Sequence, residues 1–253
     1  MDQHDFVRAF EPGIRAKTRH DGLAIIWCRT IGELVLTSSK VVARDPGYFE
    51  DIVPFTKEVP PGRYPVILAF ASFERTVHER VASAMLQLSK EEPVRWEWAR
   101  RLNQKPDPSE QERPFCYCGD SGTGCFMDKD AADLLLEWKD QDEQGLYAFL
   151  NEGEHFIAEG WEWLLDASTG LNVIVFGSGW GDGGYPSCWG YDANDNLACL
   201  ATDFGVLSGA TFLEEGEEYH APTQRHHRYY RPAASDHHRR RAGYPGKSHR
   251  RSW

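Results

Sequence analysis

Between Asn172 and Pro186 the chain reads NVIVFGSGWGDGGYP, an apolar run that empties into five glycines set around one carboxylate, Asp182, and one indole, Trp180. Glycine is used where backbone takes positive φ or must approach another group closely, so the string reads as a shaped loop presenting side chains and amides. Ser178, Gly179, Trp180, Gly181, Asp182, Gly183 and Tyr185 are therefore the candidate ligand- or partner-binding residues. Two chemistries are open to them. Aspartates also stand in or beside turn-rich sequence at Asp45, Asp120, Asp128 and Asp203. If these converge with Asp182, their oxygens could hold Mg2+, Mn2+ or Ca2+ and support a metal-assisted hydrolysis. The simpler account of each is local, a short carboxylate bonding the amides of its own turn or capping a helix. The other chemistry is binding alone. Trp180, Tyr185, Trp189 and Tyr191 could form a recognition surface, because exposed aromatics commonly anchor interfaces, although large rings are as commonly core.

Familiar motifs fail on their context. Gly179-x-Gly181-x-x-Gly184 matches the dinucleotide pattern after a strand, but Tyr185-Pro186 and further turn-rich sequence replace the helix whose N-terminus would receive a pyrophosphate. Neither this loop nor GDSGTG, residues 119–124, ends in Gly-Lys-Ser/Thr, so no nucleotide cofactor is expected. Asp192-x-Asn194-x-Asn196 followed by Asp203 imitates a calcium loop, yet Leu197 occupies the position that needs glycine. DANDN reads more simply as a hairpin turn with LACLATDF as its return strand. Ser178 and Ser121 do not complete Gly-x-Ser-x-Gly. A cysteine nucleophile needs a histidine, and nothing in the spacing pairs Cys125 with His78 or His155.

Composition bounds the rest. The 253 residues are 41% hydrophobic and 13% aromatic, enough for one sizeable core. No apolar run approaches the roughly 20 residues that cross a bilayer, and MDQHDFVRAF lacks the basic and apolar stretches of a signal peptide, so a cytoplasmic location without membrane contact is expected. Cys116, Cys118 and Cys125 cluster without the paired Cys-x-x-Cys spacing of structural zinc, and all six cysteines are expected as reduced thiols. Charge divides the chain. Residues 220–253 carry eight Arg, one Lys and one Asp, or +8, which leaves −19 of the total −11 on residues 1–219. The expectation is a single acidic domain, 1–219, and a disordered Arg/His-rich tail, 220–253, whose basic charge is the one feature suggesting nucleic acid.

The elements that must position the loop read mainly as strands. GLAIIWC, GELVL and KVVA suggest an opening antiparallel meander, and RYPVILAFASF with RVASAMLQL a hairpin, in which Pro65 should mark a strand start or an edge. Asp128 is placed to cap a helix through KDAADLLLEWKDQ, with Trp138 as core and Gly145 as its break before LYAFLNE. NQKPDPSEQERP, residues 103–114, is an internal loop separating two halves. The fold class is α+β, a mostly antiparallel sheet domain with one or two helices.

The strings SSKVVARDPGYF, VPPGRYPVIL, VRWEWAR, GDSGTGCFMD and NVIVFGSGWGDGGYPSCWGYDANDNLACLATDF occur in an order that resembles the domain-of-unknown-function 4241 family, over roughly residues 22–206. Gly177 to Pro186 is the most specific part. The resemblance implies a bacterial protein and an association with toxin and immunity loci, and it assigns no catalytic residues. Together these readings favour a non-catalytic binding or immunity-type module whose partner is another protein, with the aspartate-based metal hydrolase as the alternative.

Overall fold

A computed structural model describes residues 8–19, 21–48, 52–76, 78–104, 116–151, 160–214 and 217. The expected tail, 220–253, and most of the loop expected at 103–114 lie outside the described residues. The strands are β1 (Arg15–Lys17), β2 (Leu23–Leu36), β3 (Val41–Arg44), β4 (Gly62–Phe73), β5 (His78–Gln87), β6 (Arg95–Trp98), β7 (Cys116–Gly119), β8 (Thr123–Asp128), β9 (Trp161–Asp166), β10 (Leu171–Gly177), β11 (Gly183–Tyr191), β12 (Leu197–Asp203) and β13 (Thr211–Leu213). Two helices, α1 (Lys129–Gln141) and α2 (Glu143–Asn151), stand between β8 and β9.

Nine strands form one sheet, in the order β13-β1-β2-β4-β5-β12-β11-β6, with β7 pairing the other half of the β11 edge. The remaining four form a second sheet, β3-β8-β10-β9, and the ladders of both sheets are antiparallel among the described residues. The α+β, mostly antiparallel reading holds. No helix among the described residues is long and apolar enough to cross a membrane.

Alternation along the strands sorts the core into layers. On the small sheet, Ala43, Phe126, Ile174 and Phe176 join the main core with Ile26, Leu34, Leu68 and Trp189 of the large sheet. Their neighbours Val42, Cys125, Met127, Val173 and Val175 face the other way, onto Ala131 and Leu135 of α1 and Leu146 of α2. The small sheet is thus covered on both faces, which is why β10 is buried at every position and why its sequence is apolar but for Asn172, whose side chain accepts the Val35 amide and donates to the Glu33 carbonyl. A third, smaller cluster of Trp96, Cys188, Cys199 and Ala201 lies on the opposite face of the large sheet.

Several local expectations are corrected. GLAIIWC and GELVL are one strand, β2, whose ladder with β4 shifts register between Thr30 and Gly32, and β3 leaves for the small sheet, so there is no opening meander. The helix breaks at Asp142, not Gly145: the Asp142 N–H donates to the Trp138 carbonyl, while its carboxylate accepts the amide of Gly145 inside α2. Other readings stand. Trp138 packs, half-buried, on the helix-side core. RVASAMLQL is strand, as β5, and pairs with β4. Pro65 pairs with Glu33 of β2 and stands just before pairing with β5 begins at Val66, so β4 has a partner on only one side there.

Candidate functional site

The glycine loop leaves β10 at Gly177 and enters β11 at Gly183, a strand-to-strand turn with no helix. It is bonded across itself. Ser178, buried, donates its hydroxyl to the Gly181 carbonyl at 2.9 Å, and the Gly181 amide donates to the Ser178 carbonyl at 3.1 Å. The Tyr185 hydroxyl donates to the Ser178 carbonyl at 3.0 Å and contacts the Gly181 carbonyl as well. Burial pushes the Tyr185 phenol up from its ordinary pKa, so it remains a donor at neutral pH. Gly179 has φ +64°, and a Cβ there would lie 2.8 Å from Val206 Cγ2 and 2.9 Å from Phe204 Cβ. Only glycine fits that position without displacing its neighbours.

A second glycine string supports the first. β7 and β8 carry GDSGTG between them, and Gly119 pairs with Gly183 while the Ser178 amide donates to the Gly122 carbonyl at 3.0 Å. Asp45 organises that string: its carboxylate accepts the amides of Asp120 and Ser121, the Ser121 hydroxyl and the amide of Gly47, each at 2.8 Å. Asp128 is likewise committed, accepting the amides of Thr37, Ser38 and Asp130 as the cap of α1. Asp203 accepts the Gly205 amide at 2.8 Å. Asp192 accepts the amides of Asn194 and Asn196, the hairpin turn anticipated for DANDN. Asp182 is exposed and its carboxylate makes no hydrogen bond among the described residues. Among the described residues no three His, Cys, Asp or Glu side chains gather as a metal would need. Asp45, Asp128 and Asp203 are therefore placed as turn and cap acceptors, whereas Asp120 and Asp182 are exposed, with carboxylates that accept no hydrogen bond among the described residues.

Of the four aromatics proposed for a recognition surface, three are core: Trp189, Tyr185 and Tyr191 are 0%, 5% and 6% exposed. Alternation on β11 and the cross-bonding of Tyr185 bury them. Trp180 is the exception, 50% exposed at the tip of the loop. Phe73 lies 5.9 Å and His78 5.7 Å from its ring, and the Arg80 guanidinium is 5.3 Å from the ring centroid. His78 Nε2 is buried there without a hydrogen-bond partner among the described residues. Trp180 separates two clefts. One, of about 330 Å3, is walled by Gly177, Gly179, Glu79, Arg80 and Val81 over Phe70. The other, of about 490 Å3, is lined by Thr18, Arg19, Asp21, Val206 and Ser208. Sequence reasoning did not connect Phe73, His78, Arg80 or Arg19 with the loop, because they come from the β4–β5 hairpin and the β1–β2 connection, far from it in sequence.

Residues 34–202 match the family model described as a protein of unknown function, DUF4241. The chain belongs to this family. The match runs from the last three residues of β2 to the penultimate residue of β12 and so takes in both glycine strings of the DUF4241 domain, while β1, most of β2 and β13 fall outside it. No curated protein and no solved structure matches the chain.

Proposed function

We propose that this protein is a non-catalytic binding module, of the immunity type, which takes up another protein on Trp180 and the two clefts beside it. The observation that carries the reading is Trp180 itself: a half-exposed indole on a loop fixed by its own hydrogen bonds and by Gly179, which admits no side chain. A large ring held rigid before binding loses little conformational entropy on binding, which is why such residues dominate interface energetics. Arg80 over one face and an exposed Asp182 beside it offer polar contacts around the apolar anchor. The excess of −19 on residues 1–219 favours a basic partner, since complementary charge raises the association rate and disfavours acidic competitors.

The test is photo-cross-linking in the native cell. A photoreactive phenylalanine analogue at Arg80 or at Ser208, one beside each cleft, should yield the same protein adduct, whereas the analogue at Lys139 on α1 should not. Absence of an adduct at both cleft positions, or an identical adduct from Lys139, would sink the proposal.

A further inference from the structure

The face of the large sheet that turns away from the small sheet is only partly covered. Met85 from β5, Cys199 and Ala201 from β12, Cys188 from β11 and Trp96 with Trp98 from β6 make an apolar patch there, closed in part by Phe10. Between Phe10 and the β5–β6 connection lies a cleft of about 180 Å3, room for one long side chain, with Met85, Trp96, Ala198 and Cys199 among the residues that line it. Its rim is charged. Glu11, Glu91 and Glu92 line it, all exposed, against the single cation Lys90. Among the described residues none of the three carboxylates is held in an ion pair.

An apolar floor under an acidic rim suits a side chain that is itself divided, with an aliphatic stem and a cationic head. We infer that this cleft receives an arginine from a basic segment of a protein partner, the stem against Met85 and Trp96 and the guanidinium among Glu11, Glu91 and Glu92. Arginine is favoured over lysine because its weakly hydrated planar head can donate to two carboxylates at once. The cleft shares no residue with those beside Trp180, and the inference does not depend on the proposal made for that loop.

The experiment is an NMR titration of the full chain with a capped Gly-Arg-Arg-Gly peptide and with its citrulline counterpart, which keeps the shape and removes the charge. Shifts should concentrate on the amides of Gln87, Ser89, Glu91 and Ala198 and on the Trp96 indole, for the arginine peptide alone. Glu91→Gln with Glu92→Gln should weaken binding about tenfold, as expected when charge partners at an interface are neutralised. Lys90→Gln should tighten it, and Trp180→Ala should leave it unchanged. Asp140→Asn with Glu143→Gln, on the helices, controls for diffuse attraction. The inference is overturned if the citrulline peptide binds equally, if the helix control weakens binding as much as the Glu91/Glu92 change, or if the cleft signals do not move at millimolar peptide.

Discussion

At the scale of single residues, the glycine loop separates two kinds of glycine. Gly179 has a positive φ and no room for a Cβ, whereas Gly181, at φ +107°, has nothing within 4 Å of the position a Cβ would take. Gly179→Ala is expected to destabilise the protein by about 3 kcal/mol, from overpacking against Phe204 and Val206 added to backbone strain. Gly181→Ala should lose only about 1 kcal/mol, from strain alone. Denaturant unfolding of both variants decides this, and equal losses would mean that close packing is not what fixes the loop. Asp45→Asn leaves amide and hydroxyl donors facing a neutral group that can no longer accept all of them as well, and about 2 kcal/mol of stability should go with it. Asp192 gives a pH signature. The amides of Asn196 and Asn194 hold its carboxyl below the usual aspartate range. Its contribution is therefore present above the ordinary aspartate pKa and is lost as pH falls through the lowered one. Asp192→Asn should flatten the acid limb of the stability curve; an acid limb as steep as the parent's would contradict this assignment.

At the scale of elements, Asp128 joins three of them, because its one carboxylate caps α1 while holding the amides of Thr37 and Ser38 where β2 turns into β3. Asp128→Ala removes acceptors for three buried or half-buried amides, so about 3 kcal/mol is expected, more than an isolated cap is worth. Hydrogen exchange should show the first turn of α1 and the amides of Thr37 and Ser38 opening together; opening of the helix turn alone would contradict the coupling. Elements with a strong local signal were legible in the sequence. The apolar run from Val173 to Phe176 in β10, the Asp128 cap and the Asn-rich hairpin turn each carry their cause within a few residues. What could not be read depends on partners distant in sequence. The bend that keeps β2 a single strand shows only in its register with β4. A capping carboxylate at Asp142 outweighs the roughly 1 kcal/mol helix penalty of Gly145, so the break falls three residues early. The site divides in the same way: the loop was legible as a shaped turn, but which rings it buries is decided by strand alternation and by Phe204 and Tyr117 from other elements.

At the scale of the whole molecule, layering predicts which thiols react. Cys125, Cys188 and Cys199 are buried between or against sheets, and burial pushes all three thiols up, that of Cys199 to about 12. Cys28, half-covered, is pushed up to about 11. In a short iodoacetamide pulse at pH 8, mass spectrometry should find the exposed Cys116 and Cys118 modified and the three buried thiols protected until global unfolding. Early labelling of Cys125 would show that the helices do not seal the small sheet as described. The same layering leaves Trp180 as the ring the glycine loop presents to solvent, and that placement is the core of the functional account. Its most direct test is the dissociation constant of the partner recovered by cross-linking, measured for the parent and for Trp180→Ala. A rigid aromatic anchor is worth about 2 kcal/mol or more, so binding should weaken roughly thirtyfold while the melting temperature stays within about 1 °C of the parent. A change of less than about threefold, in a variant equally well folded, would contradict the account.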